Sequence, residues 1–125
     1  MWIRVNPNPK GKQVPDCVIR AISVALGTDW YSVYDDVCAV GRIDCSMPSA
    51  DAVWGHYLQM RGFRPFLLPG SCPQCVTIRE FCRIFPRGIY IIGTGSHAVA
   101  VKDGDYYDSW DSGEEVPSFF WKIGE

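Results

Sequence analysis

Asp103-Gly104 lies between two runs of alternating apolar residues, and this pair constrains the chain more than any other feature. A two-residue Asp-Gly connection is a strong hairpin signal, because both positions of its turn favour positive φ. It also sets a register. Lys102 should pair with Asp105, Val99 should face Asp108, and His97 should face Trp110. Alternation then puts His97, Val99, Val101, Tyr106, Asp108 and Trp110 on one face. His97 and Asp108 become diagonal neighbours, about 7–8 Å apart between backbones, within reach of a side-chain hydrogen bond. A slip of one residue would send them to opposite faces.

The chain before this hairpin follows a helical period. Asp16 is a suitable N-cap for an apolar stripe of Val18, Ile19, Ile22, Val24, Ala25 and Leu26, which Gly27 ends. Thr28 or Asp29 caps a second helix with Trp30, Val33, Tyr34, Val37 and Val40 inward, stopping at Gly41. After a loop over 42–48, Ser49 begins a third helix, with Val53, Trp54, Tyr57, Leu58 and Met60 as core and Gly62 at its end. Residues 63–68 read as a strand and Pro69-Gly70 as a turn. Thr77 and Glu80 have capping-box spacing before a short helix through Phe85, which Pro86 stops. Strands are expected over 89–92, 97–102 and 105–110, with Phe119, Phe120 and Trp121 closing the sheet. Pro7, Pro9 and Pro15 make the first fifteen residues extended, with a short strand at Trp2, Ile3 and Val5. Helices first and an antiparallel sheet second predicts an α+β fold, one domain over 1–125.

Composition narrows the function classes. Apolar residues at 47% support a core without staples. A net charge of −2 with mixed signs lacks the basic footprint of a nucleic-acid binder. No apolar run reaches the roughly 18 residues a membrane span needs, and the polar, Pro-rich start has no signal-peptide h-region. The expected location is therefore cytoplasmic. There, six cysteines suggest thiols, a metal site or catalysis ahead of a disulfide framework.

Three residues form a chemical set. Cys17 follows Asp16 at a helix start, where the helix dipole favours a thiolate. His97 would form the ion pair and then protonate a leaving amine. Asp108 would hold the imidazole in its tautomer and orientation, and Trp110 would shield that bond from water. The oxyanion of an acyl transfer needs donors. The Cys17 backbone amide is one candidate; Gln13, Asn6 and Asn8 are side-chain candidates, with Gln13 nearest in sequence.

The blocks Asp-Cys-Val-Ile-Arg-Ala-Ile from Asp16, Gly-Thr-Gly-Ser-His-Ala-Val-Ala-Val from Gly93 and Tyr-Tyr-Asp-Ser-Trp-Asp-Ser-Gly from Tyr106 resemble the papain-like cysteine peptidase superfamily. That superfamily has the order Cys, His, then Asn or Asp, the last often followed by Ser-Trp. Cys17, His97 and Asp108 match those places. The Asp-Cys pair resembles the bacteriocin-processing branch, which also uses Asp as third member. More narrowly, the chain is similar to small phage and gut-bacterial proteins over most of its length. The resemblance implies a papain-like fold, a helix bearing Cys17 packed on a small antiparallel sheet, and a peptide or protein substrate with no cofactor. Two departures stand out. Papain has glutamine six positions before its cysteine, where this chain has Gly11, with Gln13 four before. Papain continues Cys-Gly-Ser-Cys-Trp, and this chain continues Cys17-Val18-Ile19-Arg20. The shorter chain implies a reduced cleft.

Other readings compete. A lone cysteine is more often a small core hydrophobe. Asp111 rivals Asp108, but it lies on the hairpin's other face and suits a cap at Ser112-Gly113. Cys72-Pro73-Gln74-Cys75 is a half-site for zinc or a redox pair, with Cys82 seven residues on and Cys38 and Cys45 spare; reduced structural thiols are the expected reading. Arg20 on an apolar helix calls for an acid, either Asp16 or one on the second helix. The alternative to a cysteine hydrolase is a catalytically silent papain-like binding module of phage or bacterial origin, with a zinc site built on Cys72 and Cys75 as a further option.

Overall fold

The computed structural model describes residues 1–69 and 73–123. Among these residues four helices and a six-stranded sheet form an α+β arrangement. In chain order the elements are β1 (Trp2–Arg4), α1 (Cys17–Leu26), α2 (Trp30–Ile43), α3 (Asp51–Met60), β2 (Phe63–Leu67), α4 (Ile78–Ile84), β3 (Ile89–Gly93), β4 (Ala98–Lys102), β5 (Asp105–Asp108) and β6 (Phe119–Ile123). The sheet order is β1-β5-β4-β3-β6-β2. All its pairings are antiparallel except β1 with β5, which is parallel. Phe119–Ile123 does not close the sheet as expected; β6 lies inside it, and β2 forms the edge.

Near its turn the hairpin has the expected register, but the ladder stops at Ala100 and Tyr107, short of the expected pairs of Val99 with Asp108 and His97 with Trp110. Lys102 pairs with Asp105, Val101 with Tyr106 and Ala100 with Tyr107. Asp103 and Gly104 have φ of 49° and 83°, and the Asp103 side chain accepts from the Gly88 amide. The alternation sorts the core into two layers. Ala98 and Ala100 pack with Ile19, Ala21, Ile22 and Ala25 of α1, and α2 and α3 complete that side. Small residues beneath α1 let the helix approach the sheet closely. Val99, Val101 and Tyr106 face the other way, against Ile78, Phe81 and Cys82 of α4. Ile22 is fully buried at the centre of the first layer, where truncation to alanine costs about 2–5 kcal/mol.

Several local expectations are corrected. Gly41 does not stop α2, which runs on to Ile43. A Cβ at Gly41 would meet the Ser46 carbonyl at 2.9 Å, so the glycine serves the loop folding back over the helix. Tyr34 and Met60 are exposed, not core. The α3 helix begins at Asp51, two residues after Ser49. Thr77 and Glu80 do form the reciprocal capping box, and Gly27 ends α1 in the left-handed conformation at φ 67°. Cys75 is disulfide-bonded, which corrects the reduced thiol expected there; Cys72 and Gly70 lie outside the described residues.

Candidate active site

The nucleophile candidate sits at the first residue of α1. Arg20 N–H is the first helix amide to bond back, to the Asp16 carbonyl at 2.9 Å. The earlier amides, including that of Cys17, have no acceptor within the helix. Asp16 precedes the helix but does not cap it. Its φ and ψ are −109° and 27°, and its side chain makes no cap hydrogen bond. The carboxylate is buried instead. It accepts from Arg20, from Trp30 Nε1 at 2.9 Å and from Asn8 Nδ2 at 3.3 Å. Three side-chain donors outcompete the helix amides for it.

His97 stands one residue before β4, in a turn closed by the Thr94 amide on the His97 carbonyl. Its Nε2 is 2.6 Å from Asp108 Oδ2. A carboxylate only accepts, so Nε2 carries the proton and Nδ1 is the nitrogen left for the thiol. The diagonal pairing read from the hairpin thus brings the histidine and the acid together. The route to Cys17 is different. Alternation alone would carry His97 to the α4 side with Val99, away from α1. The first ladder pair is Ala98 with Gly93, so His97 lies beyond the sheet's end, free to turn toward the start of α1.

The electrostatics couple the three groups. Burial opposes ionisation of Cys17, but hydrogen bonds from His97 and the Ala98 backbone amide, with the charges of His97 and Arg20, outweigh it. The thiol therefore lies below its ordinary 9.0. Burial likewise opposes charging of His97, and its bonds to Asp108 and Cys17 reverse that, pushing it up to about 9. Asp108 is only 3% exposed. Burial pushes its pKa up, and the bonds from His97 and Ser112 outweigh that and hold it below the usual carboxylate value. Its Oδ2 also accepts from Ser112 Oγ at 2.7 Å; its Oδ1 accepts from the Ser109 amide at 2.8 Å and lies 3.5 Å from Arg20 Nη2. Trp110 packs against the imidazole with ring centroids 5.1 Å apart and planes tilted by 34°, and is itself half exposed.

Cys17 and His97 both line a cavity of about 570 Å³. Trp30, Tyr34, Trp54 and Phe119 contribute aromatic surface to its wall. Trp30 and Tyr34 are stacked, with centroids 5.0 Å apart. Gly95 and Ser96 lie beside the histidine, and Gly95 adopts φ +96°, a conformation favouring glycine. The volume falls in the range of small-ligand sites.

Cys17, His97 and Asp108 are thus brought together. Gln13 is not; it is exposed and lies outside the cavity wall. Asn8 is engaged with Asp16, and the Asn6 amide donates to the Lys12 carbonyl. Asp111 takes the capping role, accepting from the Gly113 amide at 3.0 Å. Sequence reasoning missed Ser112, the Ala98 amide and the link from Arg20 to Asp108. Ser112 carries no local signal, since only the turn after β5 brings it back to the acid. Among the described residues no cluster of three or more His, Cys, Asp or Glu is arranged to hold a metal. No helix among them is long and apolar enough to cross a membrane. No protein-family model, curated protein sequence or solved structure matches the chain.

Proposed function

We propose that this protein is a cysteine hydrolase of papain-like type, acting on a peptide, isopeptide or related amide. The observation that carries the reading is Cys17 beside a histidine fixed by a buried carboxylate at 2.6 Å, with Cys17 and His97 lining a cavity. In the resting site the thiolate and imidazolium form a pair. The thiolate attacks the substrate carbonyl, and the carbonyl π pair moves to oxygen. The Cys17 backbone amide, left without an acceptor in its helix, is the donor placed for that oxyanion. His97 then gives its proton to the leaving amine, and the C–N bond breaks to leave a thioester. Water attacks the thioester, with neutral His97 taking its proton. Collapse releases the acid and regenerates the thiolate–imidazolium pair.

A silent binding module would be favoured by a sulfur buried with no groove beside it. Cys17 is only half-buried and lines the cavity, which supports turnover. The test is thiol alkylation followed by peptide mapping. Cys17 should label ahead of the other cysteines, including exposed Cys45, and His97→Ala should suppress it. Uniform labelling, or none at Cys17, would sink the proposal.

A further inference from the structure

Arg20 is 9% exposed on a helix whose other buried residues, Ser23 apart, are apolar. Burying a guanidinium is costly unless it is paired and its donors are satisfied. Its Nη1 bonds Asp16 Oδ1 and lies 3.4 Å from the Val14 carbonyl. That i,i+4 pair alone would supply a partner for the charge. Yet Nη2 also reaches Asp108 Oδ1 at 3.5 Å, on a different strand. The guanidinium therefore spans two buried carboxylates, one beside the nucleophile in sequence and one bonded to the histidine.

We propose that Arg20 is a positioning residue for the thiolate–imidazolium pair, fixing the Asp108 carboxylate toward His97 and balancing the charge of Asp16 and Asp108. The inference rests on the hydrolase reading. The charged site comprises Cys17, His97, Asp108, Arg20 and Asp16, with one net negative charge. Without Arg20 it would hold two, all within a mostly apolar setting. The geometry fits the role. Oδ1 of Asp108 is occupied by the Ser109 amide and the guanidinium, which leaves Oδ2 for the imidazole. Trp30 Nε1 and Asn8 anchor Asp16 at the other end, so the guanidinium is held from both sides. The remaining titratable groups on the cavity are Asp51 at the head of α3 and Tyr34 of α2.

A guanidinium whose charge acts on the Cys17–His97 pair and one that only supports packing predict different titrations. Removing the guanidinium charge makes the site more negative, which raises the titration midpoints of both Cys17 and His97. Neutralising Asp16 does the opposite. Disruption of packing cannot produce opposite signs from two partners of one ion pair. The experiment measures the pH dependence of Cys17 alkylation and the His97 ring titration by NMR in wild type, Arg20→Gln, Arg20→Lys and Asp16→Asn. The chain has two histidines, so His56 serves as the internal control. Arg20→Gln should move both midpoints up by about one pH unit, Asp16→Asn should move both down, and Arg20→Lys should restore most of the wild-type profile. Shifts of the same sign in Arg20→Gln and Asp16→Asn, or none in either, would overturn the assignment. Should Arg20→Gln fail to fold, the downward shift in Asp16→Asn and the near-wild-type profile of Arg20→Lys carry the same decision. Opposite His97 shifts without preferential Cys17 labelling would sustain the role of Arg20 toward the histidine and refute the hydrolase reading alone.

Discussion

Asp108→Asn is a near-isosteric change with a consequence that follows from the donors around the acid. Oδ1 faces the Ser109 amide and Arg20, both of which only donate. The amide oxygen of the new asparagine must therefore take that side. Its NH₂ group then points at Ser112 and at His97 Nε2. Ser112 can turn its hydroxyl to accept, but Nε2 accepts only if the imidazole proton sits on Nδ1. That places an N–H against the Cys17 thiol and disfavours the imidazolium. The thiol then loses the histidine contribution that offsets its burial. At its ordinary value of 9.0 a thiol is about 1% ionised at pH 7, and burial lowers the fraction further. Labelling of Cys17 at pH 7 should fall well beyond two-fold, and turnover by more, since wrong-tautomer swaps in Ser-His-Asp enzymes cost about 10⁴. The assay is the second-order rate of Cys17 alkylation by iodoacetamide, with peptide mapping and a thermal melt to confirm folding. A folded Asp108→Asn protein that labels within about two-fold of wild type would refute the tautomer argument.

Other perturbations test separate parts of the structure. In a Cys17→Ser background, where the thiol no longer titrates, the bond to Asp108 should still hold His97 above its ordinary 6.5. That contribution is complete below pH 6.5 and is lost as pH rises through the folded value, so denaturant stability should decline over that window and stay flat there in Cys17→Ser/His97→Ala. Ser112→Ala removes a donor from a buried carboxylate and should cost roughly 1.5–3 kcal/mol in denaturant unfolding; a loss under about 0.5 kcal/mol would mean that bond contributes little. A Cβ at Gly93 would lie 2.2 Å from Phe119 Cζ, so Gly93→Ala should cost about 1–3 kcal/mol, read as a lowered melting temperature. Cys82 is buried, with its thiol pushed up to about 11, so it should resist alkylation at pH 7 in the folded protein.

The parts of the site legible in the sequence are those set by local rules. Asp103-Gly104 dictates Lys102 opposite Asp105, and the pairing of His97 with Asp108 follows from it. Cys17 at the head of a helix follows from the apolar stripe and Gly27. What the sequence did not reveal depends on contacts between distant elements. Asp16 has the residue type of a cap, yet Arg20, Trp30 and Asn8 draw its carboxylate inward. Alternation placed His97 on a face, but the sheet ends at Ala98, and that end allows the ring to reach α1. Tyr34 matched a helical stripe and instead stacks on Trp30 at the cavity wall. Gln13 was near Cys17 in sequence and faces solvent in the fold.

The most direct test of Cys17 as the nucleophile of a hydrolase is turnover of an activated acyl ester, p-nitrophenyl butyrate, with intact-mass detection of the protein during the reaction. The expected result is a butyryl adduct mapped to Cys17, its release by water, and continued nitrophenolate production that is lost in Cys17→Ala and strongly reduced in His97→Ala. Turnover unchanged in Cys17→Ala, or wild-type protein that neither acylates at Cys17 nor releases nitrophenolate above the buffer rate, would contradict it.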